Sequence, residues 1–359
     1  MRRRLASLAG CLAAAAVLLP AGPAGAAGSS ARQATQAQAP DADLPRLFLY
    51  ATGGTISNRR GGRLTVEELI ASVPNQAARF RVEGEQFANT SSAALSLAQW
   101  LDLSRRINER FRKDAALSGV VVTCGTDTLE ELAFFLHLTV RDPRPVVVVG
   151  SMRNPSQTGY EGTANLEDAF RVAADSSSRG MGALVVLNDE INSARDVTKT
   201  DARRLDTFSS RDYGLLGRID GERPVYSRKP ISRHTADSEF DVSTIADLPR
   251  VDVFITYQGA PGDIIRAAVD AGARGVVIAT AGAGAMSGTQ NEGVKYAMSK
   301  DAFVVSTTRT GGGSTGGGRG TSRRVGGGDL LPVKARILLM LTLATTTDPA
   351  EVQRIFSEY

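Results

Sequence analysis

Apolar residues follow two alternating patterns from Leu44 onward. Short continuous apolar runs occupy residues 46–52, 119–123, 145–150 and 182–188, as is typical of strands buried on both faces of a parallel sheet. Between these runs, apolar residues recur at helical spacing; the two clearest sets are Leu97, Trp100, Leu101, Ile107 and Phe111, then Leu166, Ala169, Phe170 and Ala173. The alternation predicts an α/β fold with a mostly parallel sheet flanked by helices.

The pattern lapses over residues 221–249, which are rich in Pro, Ser, Arg and Asp, and resumes with apolar runs at 251–257, 275–280 and 302–307. Such a lapse indicates a domain boundary. We therefore expect a larger N-terminal domain at residues 44–237, a linker at 238–249 and a smaller C-terminal domain at 250–359.

The first 26 residues have the layout of a cleaved signal peptide: Arg2, Arg3 and Arg4, then an apolar stretch, then small residues near Ala24 to Ala26. A transmembrane anchor would need about 20 apolar residues, but Pro20 ends the run early. A lipoprotein site at Cys11 is disfavoured because most of the apolar run follows that cysteine. We expect export to the periplasm or medium, no membrane association of the mature protein, and a disordered leader at residues 27–43.

Composition excludes several classes of protein. The chain has 359 residues, 42% of them hydrophobic, which excludes disorder throughout. Without Arg2 to Arg4, its 42 basic residues fall to 39 against 38 acidic ones, so we expect no nucleic-acid partner. The only other cysteine besides Cys11 is Cys124, which rules out a disulfide framework.

Familiar catalytic motifs are missing or unconvincing. The sequence has no paired-cysteine spacing, no His-Glu-x-x-His and no phosphate-binding Gly-Lys-Ser/Thr loop. Residues 312–316 match Gly-x-Ser-x-Gly, but no apolar helix follows and we expect a flexible loop. His137 lies in an apolar helical stretch and His234 in a polar segment, so we expect both to be structural.

Candidate chemistry lies where strands end, which is where open α/β sheets bind ligands. Thr55 follows the first strand after two glycines, and Thr126 and Asp127 follow the run at 119–123. Helix capping is an equal alternative for Thr126 and Asp127. Lys199 follows a further strand; a partly buried lysine beside a threonine can activate a hydroxyl or a water, although Lys199 could also be merely solvated.

These residues stand within seven ordered blocks that resemble the bacterial-type, exported L-asparaginases and glutaminase-asparaginases. The blocks are ATGGTIS (51–57), GTDTLEE (125–131), VVVVGSMR (146–153), ARDVTKT (194–200), FDVSTIADLP (240–249), KARILLMLTLA (334–344) and QRIFSEY (353–359). The resemblance implies hydrolysis of the L-asparagine side-chain amide, and secondarily that of L-glutamine, to the acid and ammonia. It also implies a smaller C-terminal domain of Rossmann-like layering, with the site between the two domains.

The resemblance assigns a role to each candidate residue. Thr55 would be the nucleophile that forms an acyl-enzyme, Thr126 and Lys199 would position and tune it, and Asp127 would hold the substrate ammonium. Ser92 would bind the substrate carboxylate. Backbone amides near Thr126 would suit the developing oxyanion. No cofactor or metal is implied, and the family is typically a homotetramer with sites shared between subunits.

Three departures from the family bear on the substrate. The lid after Thr55 is short and lacks the family's tyrosine. Three interpretations are open: Tyr160 or Tyr257 reaches into the site in its place, Lys199 and Thr126 carry more of the activation of the threonine, or turnover on asparagine is slow. Ala93 and Ala94 follow Ser92 where a polar and an acidic residue are usual, and the usual asparagine is missing from the glycine-rich turn at 281–285. The loop at 311–328 holds Arg319, Arg323 and Arg324 but no acid.

Weak partners for an ammonium suggest a different preferred substrate: an amide without a free α-amine, or with an extra carboxylate or acyl group. The equal alternative is that the glycine-rich loop is disordered and other residues supply the missing contacts, so that the site still prefers asparagine. A nearly inactive, ligand-binding relative and an amidase of unrelated mechanism are the other hypotheses.

Overall fold

A computed structural model describes residues 44–318 and 321–359. The predicted signal peptide and leader, residues 1–43, lie outside the described residues. Numbered in chain order, the strands are β1 Arg46–Gly53, β2 Asn58–Arg59, β3 Gly62–Arg63, β4 Arg81–Thr90, β5 Leu117–Thr123, β6 Val146–Val149, β7 Ala183–Leu187, β8 Glu190–Ser193, β9 Thr198–Lys199, β10 Phe208–Ser209, β11 Gly217–Asp220, β12 Arg223–Tyr226, β13 Val251–Ile255, β14 Gly275–Thr280, β15 Phe303–Thr308 and β16 Arg324–Gly326.

The larger sheet has the order β12-β11-β8-β7-β6-β5-β1-β4. The five strands from β7 to β4 run parallel to their neighbours, whereas β8, β11 and β12 are joined by antiparallel pairs. The mostly parallel sheet predicted for the N-terminal part of the chain is therefore confirmed. The sequence pattern missed β4, because this edge strand is half exposed and carries few apolar residues.

Helices cover the larger sheet on both faces and also flank the smaller sheet of the C-terminal part. They are α1 Val66–Ser72, α2 Leu97–Lys113, α3 Leu129–Thr139, α4 Gly162–Ala174, α5 Asp263–Asp270, α6 Gln290–Ser299, α7 Pro332–Thr345 and α8 Pro349–Glu358. Alternate strand residues enter different cores: Phe48 and Val120 pack with α2 and α3, whereas Leu49 and Val121 pack with α1 and α4. Burial on both faces is why these strands are continuous apolar runs.

The smaller sheet is parallel throughout, in the order β13-β14-β15-β16. Helices α5 and α6 cover one face, and α7 packs against the strands on the other. Helix α7 also packs against α3, so the two sheets share one hydrophobic core. These layers confirm the α/β fold class with a smaller parallel sheet in the C-terminal part, while the domain and linker bounds given above stay predictions.

The two histidines lie side by side in the interior, with their ring centroids 5.1 Å apart. Burial lowers the pKa of His137 well below its ordinary value. Its Nδ1 accepts a hydrogen bond from the Ala183 amide, but its Nε2 is buried with no partner among the described residues. His137 is therefore a neutral core residue, though only half of its hydrogen-bonding capacity is used.

Within the described part of the chain, no helix combines the length and the apolar character that crossing a membrane requires.

A partly buried ion pair connects the segment before β9 to the C-terminal part of the chain. Arg195 donates from both terminal nitrogens to Asp329, at 2.9 and 2.8 Å, and from Nε to the backbone oxygen of Tyr359 at 2.6 Å. Burial opposes ionisation of Asp329, but the hydrogen bonds from Arg195 prevail and lower its pKa to about 2. The pair therefore stabilises the folded state at neutral pH.

We expect Asp329→Asn to reduce the free energy of unfolding by at least about 2 kcal/mol at pH 7, since an unfolded aspartate titrates near pH ~3.9. A carboxylate whose pKa is lower in the folded state than in the unfolded state stabilises the folded protein fully at pH values above its unfolded pKa, and this stabilisation is lost as the pH falls toward the folded pKa. The difference from the wild type should therefore shrink as the pH falls from about 4 to about 2. Urea unfolding of both proteins across this pH range measures the difference in the free energy of unfolding. Asp206→Asn, in an exposed pair with Arg204, is the control and should change little; equal effects would contradict the role of Asp329.

Candidate active site

The candidate residues gather at the carboxyl ends of β1, β4 and β5, which are neighbours in the larger sheet. Two hydrogen bonds join the strand ends: Thr52 donates from Oγ1 to the Thr123 carbonyl at 2.7 Å, and the Gly54 amide donates to the Thr90 carbonyl at 2.8 Å. The turns after the three strands are thus held together at one edge of the sheet, as expected for an α/β binding site.

A close approach between the backbones of Gly54 and Gly125 brings Thr55 and Thr126 near each other. Gly54 has φ +84°, and a Cβ added to it would lie 2.3 Å from the Gly125 nitrogen. A side chain at Gly54 would therefore clash with the backbone, and its positive φ disfavours other residues as well. Because Thr55 and Thr126 each follow one of these touching glycines, the two hydroxyl-bearing residues belong to one site.

Thr55 lies in a tight turn, closed by hydrogen bonds from Ser57 N to Gly54 O and from Asn58 N to Thr55 O. It is half-buried, and its hydroxyl has no hydrogen-bond partner among the described residues. The backbone of Thr55 is fixed while its oxygen stays free. This combination suits a nucleophile.

Thr126, Lys199 and Asp127 form a connected group. Lys199 donates from Nζ to Thr126 Oγ1 at 3.0 Å and to Asp127 Oδ1 at 2.7 Å. The Lys199 side chain is 14% exposed, whereas that of Asp127 is 78% exposed. The buried lysine is thus held against the threonine, while the aspartate faces solvent at the mouth of the site.

The capping interpretation of Thr126 and Asp127 is wrong. Helix α3 begins at Leu129 with Thr128 at its N-cap, and no side chain caps this end. The helix starts two residues later than capping by Thr126 would require. Thr126 and Asp127 therefore point their side chains at Lys199 instead, and Lys199 is not merely solvated.

The turn before α3 also supplies hydrogen-bond donors. The backbone amides of Thr126 and Asp127 donate to no acceptor among the described residues. Unpaired amides close to the start of a helix are suited to a negative oxygen, because the helix dipole adds to their attraction. They are the candidate oxyanion donors.

Ser92 lies in the same cluster. It is buried, its Oγ accepts a hydrogen bond from the Thr128 amide at 3.3 Å, and a Cβ on Gly125 would lie 3.0 Å from that Oγ. Ala93 and Ala94 complete the short 3-10 turn and add no polar side-chain atoms.

The short segment after Thr55 folds as a β-hairpin rather than as an open loop. Strands β2 and β3 pair across a turn at Arg60 and Gly61. The hairpin is anchored at two places: the Arg60 amide donates to Ser156 Oγ at 2.8 Å, and Arg63 donates to the carbonyls of Gly54 and Thr90 at 3.4 and 3.3 Å. It forms a rim that is bound to the turns of the site.

Tyr160 is the tyrosine that contacts the turn containing Thr55. Its hydroxyl donates to the Ile56 carbonyl at 2.7 Å, next to Thr55, and burial raises its pKa. Tyr257 follows β13, is half exposed, and has no side-chain contact with the site residues described here. Of the two tyrosines considered, Tyr160 is therefore placed to support Thr55, through the backbone.

Sequence reasoning missed two charged residues close to the β9 backbone, Glu130 and Lys334. Glu130 accepts from Thr198 Oγ1 at 2.9 Å and from the Lys199 amide at 3.2 Å. Lys334, fully buried in α7, lies 4.0 Å from the other oxygen of Glu130. Glu130 was hidden by its ordinary place in the first turn of a helix. The signal for Lys334 was a lysine in the first turn of a largely apolar helix.

The arginines of the 311–328 loop have different positions. Arg323 pairs with Asp301 and contacts the Phe303 ring, and Arg324 lies in β16, whereas Arg319 falls outside the described residues. Residues 312–316 are not followed by a helix, in agreement with rejection of the nucleophile motif.

Residues 44–318 and 321–359 contain no group of three or more His, Cys, Asp or Glu side chains that could hold a metal ion.

Comparison with known proteins places this geometry in a family. Residues 46–232 match the family model described as "Asparaginase, N-terminal", and residues 250–356 match that of the "Glutaminase/Asparaginase C-terminal domain". The chain is similar to "L-asparaginase 2" of Bacillus subtilis, with 41% identity over 88% of this chain and 87% of the relative. It is also similar to "Probable L-asparaginase periplasmic" of Haemophilus influenzae, with 37% identity over 89% and 94%.

A solved structure agrees with these matches. The crystal structure of a probable cytoplasmic L-asparaginase from Campylobacter jejuni superposes with a TM-score of 0.83 and is 35% identical, covering 88% of this chain and all of that one. Both sheets thus belong to one known architecture, and this chain is a member of the asparaginase and glutaminase-asparaginase family.

Proposed function

We propose that this protein hydrolyses the side-chain amide of L-asparagine, and secondarily of L-glutamine, to the acid and ammonia. Family membership supports this amidohydrolase activity. The observation that carries the site assignment is the Lys199–Thr126–Asp127 group, set beside a free Thr55 hydroxyl by the Gly54–Gly125 contact.

In the proposed mechanism, Thr55 Oγ1 attacks the amide carbon and a covalent ester to the threonine forms. The carbon–nitrogen bond breaks, and the nitrogen leaves as ammonia with the proton that the threonine gave up. A water then attacks the ester, which releases the acid and restores the Thr55 hydroxyl. The amides of Thr126 and Asp127 would stabilise the negative oxygen in both steps.

Lys199 and Thr126 form the proton-handling group of this mechanism. Nζ of Lys199 holds Thr126 Oγ1 in a fixed direction and places a proton donor beside the reacting atoms. Ser92 would bind the substrate carboxylate and Asp127 its ammonium. Neither cofactor nor metal is needed for these steps.

A second candidate substrate class is favoured by a specific observation. The carboxylate of Asp127 is already paired with Lys199 at 2.7 Å, and Ala93 and Ala94 add no acid beside Ser92. Arg63, bound to the carbonyls of Gly54 and Thr90, adds positive charge to the rim. Such a site would favour an amide that carries a carboxylate and an acylated α-nitrogen.

Ammonia release from L-asparagine, L-glutamine and N-acetyl-L-asparagine tests the proposal. We expect Thr55→Ala and Thr126→Ala to lower kcat at least about 10³-fold on every substrate that the wild type hydrolyses, because each removes a group of the reacting centre. Unchanged melting temperatures would show that both variants fold.

The panel also separates the alternatives. Selective hydrolysis of N-acetyl-L-asparagine would establish the second substrate class, whereas a wide margin for L-asparagine would reject it. Ligand-dependent rises in melting temperature without ammonia would identify a binding protein. Activity that survives Thr55→Ala would point to an unrelated mechanism.

Tyr160 supports the proposed nucleophile from outside the reacting group. We expect Tyr160→Phe to lower kcat about 10-fold with KM nearly unchanged, because it frees the Ile56 carbonyl while keeping the ring. Steady-state kinetics measure this. Tyr226→Phe, which removes a remote hydroxyl bonded to Ser178, is the matched control; equal kcat values for the two variants would reject a positioning role for Tyr160.

We also propose a homotetramer with sites shared between subunits. The family resemblance supports it, as do the exposed apolar side chains Ile255, Tyr257 and Ile264 in and after the edge strand β13. Light scattering tests it, and a mass of one chain at micromolar concentration would contradict it.

Export to the periplasm or medium is proposed from the pattern of residues 1–26. The Haemophilus influenzae relative is named periplasmic, whereas the Campylobacter jejuni structure is named cytoplasmic. N-terminal sequencing of the protein recovered outside the cytoplasm tests cleavage; an intact N-terminus would contradict it.

A further inference from the structure

The ammonium group of Lys334 is buried against the segment that leads into β9, and it takes no part in the proposed mechanism. Lys334 is in the first turn of α7, and its side chain is fully buried. Its Nζ donates to the carbonyl of Arg195 at 2.7 Å and to that of Val197. Both carbonyls belong to the segment that leads directly into β9, so Lys334 fixes the backbone just before Lys199.

A buried carboxylate holds the same segment from a different helix. Oε1 of Glu130, in the first turn of α3, accepts from Thr198 Oγ1 and from the Lys199 amide. Its Oε2 is buried and makes no hydrogen bond within the described residues, and Lys334 Nζ is the cation 4.0 Å from it. Glu130 thus contacts the backbone of Lys199 directly, while the ammonium group of Lys334 balances its negative charge.

This arrangement is costly if it serves stability alone. Burial lowers the pKa of Lys334 to about 8, although Glu130 and Asp196 act in the opposite direction. Replacing a buried ion pair with apolar side chains is often neutral or stabilising. The pair does, however, fix three backbone groups of residues 195–199 to two different helices: the Arg195 and Val197 carbonyls and the Lys199 amide.

We propose that Glu130 and Lys334 are positioning residues that hold the β9 backbone so that Lys199 Nζ meets Thr126 and Asp127. This inference rests on the role proposed for Lys199. Small displacements of a positioned group can cost about 100-fold in rate, so the network should act on kcat rather than on substrate binding.

Glu130→Gln is the first test, since it keeps the shape of the side chain and removes its charge. We expect kcat for the best substrate to fall about 10- to 100-fold, with KM changed less than about threefold. Glu131→Gln is the matched control: its carboxyl is the next along the same helix and faces Arg336. Kinetics are measured far below both melting temperatures, so that loss of folded protein cannot lower kcat.

Lys334→Met and the double variant with Glu130→Gln test whether the two residues act as one unit. We expect the double variant to lose little more activity than Glu130→Gln alone, because coupled residues give non-additive effects. Additive losses, or a Glu130→Gln kcat within about twofold of Glu131→Gln, would overturn the proposal. If Lys334→Met does not fold, the comparison of Glu130 with Glu131 decides alone.

Lys199→Met separates this inference from the mechanism on which it rests. A large loss of kcat in Lys199→Met with a normal Glu130→Gln would reject only the positioning network. Full activity of Lys199→Met would instead reject the assigned role of Lys199, whatever the Glu130 variants show.

Discussion

The contact between two glycine backbones is the constraint on which the site depends. Gly54 and Gly125 lie in the turns after adjacent parallel strands, and a Cβ on Gly54 would lie 2.3 Å from the Gly125 nitrogen, so that Gly54 has no room for a side chain. The residues that follow, Thr55 and Thr126, are therefore held on one edge of the sheet by covalent geometry and strand pairing. Their placement needs no flexible segment, because the backbone itself brings the two threonines together.

A series of ion pairs then connects that edge to the rest of the protein. Lys199 contacts Asp127 at the surface of the site, Glu130 holds the Lys199 amide from α3, and Lys334 reaches the same segment from α7. Arg195, four residues before Lys199, binds Asp329 near the C-terminal sheet. Lys334 is the most buried of these charged side chains, and Asp127 is the most exposed. The C-terminal part of the chain thereby helps to set the geometry of a lysine that the N-terminal part supplies.

The hairpin at residues 58–63 gives this family member a compact rim after the turn that contains Thr55. Arg63 spans the carbonyls of Gly54 and Thr90, and Tyr160 holds the Ile56 carbonyl. Contacts of this kind preorganise the turn before substrate arrives, so less ordering entropy has to be lost on binding. Arg63 adds a positive charge to the rim, since its hydrogen bonds to Gly54 and Thr90 are to neutral backbone oxygens.

The sequence by itself determined the strand–helix order and the parallel sheets, and it singled out Thr55, Thr126 and Lys199 as candidates for the site. Buried strands require apolar runs, and loop residues at strand ends stand out against them. Only the tertiary structure decided which distant residues meet. The polar pattern of β4 concealed a strand, because an edge strand buries too little to need apolar residues. Local spacing made Thr126 an equally good cap, and nothing near Glu130 or Lys334 in sequence indicates that they share a buried pair across 204 positions of chain, since such contacts arise only when helices pack.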